Sequence, residues 1–112
     1  MRAVKYKDPN ADIEERLADL LDRMTLEEMI MQTDQYDCRD FTERSSGGDA
    51  ESVDIGRLRE MLRGHSTGSI QPRGMTVAQI NAVQRYAVEE TRLGIPFLFS
   101  EEALHGYYDR RA

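Results

Sequence analysis

The sequence has 112 residues, the size of one domain, with 21 acidic and 15 basic side chains and a net charge of −6. That balance argues against nucleic acid or an anionic membrane surface as partner and fits a neutral or small one. Apolar residues make up 39% and charged residues 32%, enough for a modest core. Cys38 stands alone, which excludes an internal disulfide and a cysteine-based metal site and fits a reducing compartment. No stretch approaches the ~18 apolar residues that span a bilayer. Residues 1–8 have a basic start but no apolar run of the kind a secretion signal carries, so the expected location is cytoplasmic.

In chain order, residues 1–9 read as an extended lead-in closed by Asp8-Pro9. Ile13, Leu17, Leu20, Leu21 and Met24 form one apolar stripe at helical period, predicting a first helix with Asn10 or Asp12 as its cap. Thr25-Leu26-Glu27-Glu28 is a capping box that starts a second helix, expected to run to about Gln35, with Leu26, Met29, Ile30 and Thr33 as its buried side. Residues 37–52, with Ser45-Ser46-Gly47-Gly48-Asp49 among many charges, read as a long loop. Asp54 opens a third helix with Ile55, Leu58, Met61 and Leu62 inward and Gly64 past its end.

The rest has a different rhythm. Gly68-Ser69-Ile70-Gln71 is a short strand stopped by Pro72, and Arg73-Gly74 form the turn. Thr76-Val77-Ala78-Gln79 is a second capping box, starting a helix to about Arg92 with Ile80, Val83, Ala87 and Val88 inward. Gly94 ends it, and Pro96 precedes the strand Phe97-Leu98-Phe99-Ser100, apolar on both faces as expected beneath helices. Strand, helix and strand make a βαβ unit. The expected fold class is therefore α/β, with helices over 1–66 and the βαβ unit and its following loop over 67–112 as one incomplete domain.

In parallel α/β proteins, sites form beyond the carboxyl ends of the strands. There stands Glu101-Glu102-Ala103-Leu104-His105-Gly106, with two carboxylates and an imidazole. Neighbouring carboxylates on an extended chain point opposite ways, so at most one of Glu101 and Glu102 faces the site. Ordinary polar loop residues are an equally good reading of the run. A metal site is disfavoured, because Glu101 or Glu102 with His105 lacks a third ligand nearby. His65, at a helix end, reads as exposed or dipole-compensating. No nucleophile elbow, phosphate loop or dinucleotide fingerprint is present, and no cofactor is expected.

Residues 8–21 and Arg23-Met24-Thr25-Leu26-Glu27-Glu28-Met29-Ile30-Met31-Gln32 resemble the N-terminal stretch of family 3 glycoside hydrolases. Gln84, Ala87-Val88-Glu89 and Thr91-Arg92-Leu93-Gly94-Ile95-Pro96 resemble that family's helix into its second strand. Residues 99–106 resemble the loop that follows, and Met29 and Met31 depart from the usual lysine and glycine. The resemblance implies the opening of an incomplete (β/α)8-type barrel from an enzyme that hydrolyses β-glucosides or β-xylosides with retention. It implies that Glu102 binds sugar hydroxyls in the −1 subsite, with Glu101 and His105 beside it, while the nucleophile and the acid/base lie outside these 112 residues. The implied partners are a β-linked sugar and, since two strands leave open edges, a second copy or the remainder of the enzyme. A non-catalytic, mostly helical interaction module derived from such an enzyme is the alternative.

Overall fold

The computed structural model describes residues 4–44 and 50–106. The lead-in reaches α1 (Ile13–Leu21), where Asp12 is the cap, its carboxylate accepting from the amides of Glu14 and Glu15. The stripe on α1 does not face a core. Ile13, Leu17 and Leu21 are 64%, 50% and 53% exposed, and the residue α1 buries is Asp19. Its carboxylate accepts from the amides of Lys5 at 2.8 Å and Tyr6 at 3.1 Å and from the Arg23 guanidinium at 3.0 Å. The helix thus holds the lead-in by a charged contact and leaves its apolar face open.

α2 (Leu26–Met31) begins at the expected capping box, with both reciprocal bonds between Thr25 and Glu28 in place. It ends short of Gln35. The Thr67 hydroxyl donates to the Met31 carbonyl at 3.1 Å and the Asp34 carbonyl at 3.0 Å, and the Gly68 amide also donates to Met31. These bonds take over the carbonyls a longer helix would use. Gly68 lies so close to this turn that a Cβ there would come 2.0 Å from the Gln32 carbonyl oxygen. Met31 and Glu28 are buried, whereas Leu26, Ile30 and Thr33, expected inside, are exposed.

The freed chain becomes β1 (Gln35–Asp37), a strand in a region expected to be helix and loop. Residues 37–52 are likewise no simple loop. Cys38–Asp40 form a 3₁₀ turn, and β2 (Thr42–Arg44) pairs antiparallel with β3 (Ala50–Val53). The Ser45-to-Asp49 portion of the expected loop lies outside the described residues. α3 (Ile55–Leu62) follows its Asp54 cap as expected, and Arg63 and Gly64 close it in left-handed conformations.

β4 (Ser69–Gln71), α4 (Val77–Arg85), a π-helical turn (Tyr86–Glu90) and β5 (Leu98–Phe99) complete the described fold. The second capping box, Thr76 with Gln79, is formed. β4 pairs in parallel with both β1 and β5, giving a sheet in the order β1-β4-β5. The βαβ unit read from the sequence, β4-α4-β5, is therefore the second crossover rather than the first, preceded by β1-α3-β4, and residues 1–66 carry three strands besides the expected helices and loop. One hydrophobic cluster unites Cys38, Phe41, Leu58, Leu62, Ile70, Val83, Tyr86 and Phe97. The rings of Tyr86 and Phe97 stack with centroids 6.3 Å apart. The Tyr86 hydroxyl donates to the His65 carbonyl, and burial pushes this phenol above its ordinary range. Of the expected inner stripe of α4, Val88 is exposed.

The two faces of the sheet differ. Ile70 is buried under the helices, while Leu98, on the opposite face from Phe97 and Phe99, is 73% exposed. β5 is thus covered on one face rather than the two expected of it. Its backbone is tied to α4 by Gln84, whose side-chain amide donates to the Phe97 carbonyl and accepts from the Phe97 amide.

Candidate functional site

All three strands of the sheet run the same way, so their carboxyl ends form one rim. β5 delivers residues 101–106 to that rim. Glu101 is half-buried, Glu102 and His105 are exposed, and the turn closes through the Gly106 amide on the Ala103 carbonyl at 3.2 Å. Gly106 has φ +93°, a left-handed conformation that suits glycine. Among the described residues, neither carboxylate nor His105 takes a side-chain hydrogen bond, so the three are brought to one loop but not joined into a network. Among the described residues no three His, Cys, Asp or Glu side chains converge on a point where a metal would sit.

The same rim carries a polar cluster that sequence reasoning missed. Asp37 ends β1 and Gln71 ends β4, and they face each other in the parallel register. The Arg73 guanidinium donates from Nε to Asp37 Oδ2 at 2.6 Å and from Nη2 to Gln71 Oε1 at 2.8 Å. Arg39 donates to the same aspartate through its amide and its guanidinium. Burial pushes the Asp37 carboxyl up, but the bonds from Arg39 and Arg73 outweigh it and hold the group at about 2. Asp37 is therefore an anion at any ordinary pH and serves as an anchor for Arg73. Arg73 has φ +33°, a left-handed backbone for a residue with a Cβ, and such conformations gather at positions the surrounding structure fixes. Next to the cluster, Gln35 donates to the Ser100 hydroxyl at 2.8 Å, linking the two outer strands of the rim. The turn signal at Pro72-Arg73-Gly74 was legible, but its partner Asp37 lies on a strand with no apolar run to mark it.

The segments before β5 are fixed by a distant contact. The Glu28 carboxylate accepts from Arg92 through Nε at 2.9 Å and through Nη2, and Arg92 also donates to the Arg23 carbonyl at 2.7 Å. The Arg92 hydrogen bond, opposed by burial, lowers the Glu28 pKa below the ordinary carboxylate value.

No protein-family model matches the chain. It is 35% identical over 104 residues to β-glucosidase C of Emericella nidulans, an alignment that takes in 91% of this chain and 16% of that protein. It is 31% identical over 104 residues to a candidate β-xylosidase of Formosa agariphila, covering 90% of this chain and 14% of that protein. A candidate β-glucosidase C of Aspergillus oryzae is 33% identical over 106 residues. The chain spans about one sixth of the length of the curated relatives it matches.

Proposed function

The chain is a relative of β-glucosidases and β-xylosidases over nine-tenths of its length, and from that premise we propose that it is part of a retaining β-glycosidase of glycoside hydrolase family 3. Its substrate is a β-linked glucoside or xyloside. Its own contribution is part of the −1 subsite, where Glu102 accepts hydrogen bonds from sugar hydroxyls, with Glu101 and His105 beside it. Retention needs two carboxyl groups about 5–5.5 Å apart, one a nucleophile and one an acid/base. Glu102 is neither, and the pair comes from residues beyond this sequence.

The observation that carries the proposal is the match of nine-tenths of the chain to proteins about six times its length, and residues 101–106 stand at the carboxyl rim of a parallel sheet, where sites of such folds form. The open surfaces support an incomplete (β/α)8-type barrel. β1 and β5 are edge strands, Leu98 is uncovered, and Ile13, Leu17, Leu21, Leu26 and Ile30 are all at least half exposed. Apolar faces of that kind mark surfaces that another body covers. The alternative of a mostly helical interaction module fits those helix faces but not the three-stranded parallel sheet.

The test is a titration of the isotopically labelled chain with methyl β-xyloside and methyl β-glucoside, alongside an aryl-glycoside assay. The expected result is no turnover, with weak saturable shifts at residues 101–106 that vanish in Glu102→Ala. Turnover by the chain alone, lost in Glu102→Ala, would overturn the division of labour. Absence of any shift in that run would overturn the subsite.

A further inference from the structure

A concavity lies apart from residues 101–106 and shares no residue with them. It has a volume of 360 Å³ and is lined by Val4, Tyr6, Lys7, Arg23, Arg92 and Leu93. The Tyr6 hydroxyl donates to the Leu93 carbonyl at 2.7 Å, which fixes the ring against the segment before β5. The Lys7 ammonium lies 5.6 Å and the Arg23 guanidinium 6.0 Å from the centroid of that ring. Lys7 reaches this position over Gly94, where a Cβ would come 3.3 Å from its Nζ.

The counter-charges sit behind the cations. The Asp19 side chain is 1% exposed and its partner Arg23 26%, and the Glu28 side chain is 8% exposed against 54% for Arg92. Solvent in the cavity therefore meets guanidinium and ammonium groups rather than carboxylates. Arg92 commits Nε and Nη2 to Glu28 and to the Arg23 carbonyl, and its Nη1 has no hydrogen bond among the described residues. Lys7 has no ion pair among the described residues. Two cationic donors, backed by a third cation, thus converge on one opening in a chain whose net charge is −6. The local excess of positive charge runs against the composition of the whole.

We propose that this cavity binds a small oxyanion, a phosphate or a carboxylate group, through Lys7 and Arg92 with Arg23 behind them. Arg92 is held before the ligand arrives by its bonds to Glu28 and to the Arg23 carbonyl, so on that side little ordering accompanies binding. Bonds from cationic donors to an oxyanion are the strong class of hydrogen bond.

Amide spectra of the labelled chain, titrated with inorganic phosphate and separately with acetate at constant ionic strength, test this. Saturable shifts confined to Tyr6, Lys7, Arg23, Arg92 and Leu93 are expected, and the tighter of the two probes identifies the group. Lys7→Ala, an exposed change that leaves both ion pairs intact, should weaken the binding about tenfold, and Lys7→Arg should restore it. No saturation with either probe, equal affinity in Lys7→Ala, or shifts scattered over basic residues elsewhere would each overturn the proposal.

Discussion

Arg92→Ala is the most informative single change. The Glu28 carboxylate it serves is 8% exposed and Arg92 54%, so the pair lies between a surface and a buried ion pair. Surface pairs contribute about 0–1 kcal/mol, while removing one partner of a buried pair costs about 3–5 kcal/mol. An intermediate value of about 2 kcal/mol, plus about 1 kcal/mol for the lost bond to the Arg23 carbonyl, gives a destabilisation of about 3 kcal/mol. For a domain of this length that is a fall in Tm of roughly 10 °C by calorimetry. The loss should also depend on pH. Arg92 holds the Glu28 pKa below its unfolded value, so its stabilisation is present above about pH 4.3 and fades as pH falls through the lowered value. Parent and Arg92→Ala should therefore differ most near neutrality and converge in acid. In a cycle with Glu28→Ala, the coupling should be about 1–2 kcal/mol. Strict additivity, or a Tm within about 2 °C of the parent, would refute the reasoning.

Gly68→Ala places a Cβ 2.0 Å from the Gln32 carbonyl oxygen and should cost more than about 4 kcal/mol in urea unfolding. Gly64→Ala, at φ +77° with open space around it, should cost only about 1 kcal/mol in the same measurement. Leu58→Ala, at a fully buried position, should cost about 3 kcal/mol, whereas Leu17→Gln on the open face of α1 should stay within about 0.5 kcal/mol. A large loss in Leu17→Gln would mean that α1 is covered in solution. Asp37, held at about 2 against burial by Arg39 and Arg73, stabilises the fold above about pH 4 and loses that effect as pH falls toward 2. Asp37→Asn should flatten this limb of the acid titration by about 2 kcal/mol, read from urea midpoints at stepped pH.

What was legible in the sequence was local. Thr25 with Glu28, Thr76 with Gln79, and Asp54 each satisfy helix amides within one turn, so their chemistry is written in consecutive residues. β4 and β5 carry apolar centres bounded by glycine and proline. β1 is different, because Gln35-Tyr36-Asp37 has no apolar run and owes its conformation to pairing with residues 69–71 and to Thr67 taking the carbonyls of Met31 and Asp34. The hairpin of β2 and β3 was hidden by Glu43, Glu51 and Ser52, polar residues suited to a solvated ribbon. The stripe on α1 was visible, but periodicity shows only that a face is apolar, not that anything within the described residues covers it. The candidate site divides in the same way. Residues 101–106 could be placed because the strand before them was legible, and the Asp37–Arg73 cluster could not because one of its strands was not.

Glu28 joins two separated stretches of this sequence. It is the third residue of its own helix and closes the capping box, accepting from the Thr25 amide at 2.8 Å. Across 64 positions it is also the anchor of Arg92. With Arg92 fixed, Ile95 is held by the Ser66 hydroxyl on its carbonyl at 2.7 Å, and Phe97 by the Gln84 amide. Those contacts set the start of β5, and pairing with β4 then sets the point at which Glu101 and Glu102 leave the sheet. Glu28, Arg92, Ser66 and Gln84 thus bear on the candidate site by position rather than by chemistry. Loosening Arg92 should therefore displace the 101–106 run without touching it, which the amide spectra of Arg92→Ala would register as shifts at Glu101 and Glu102.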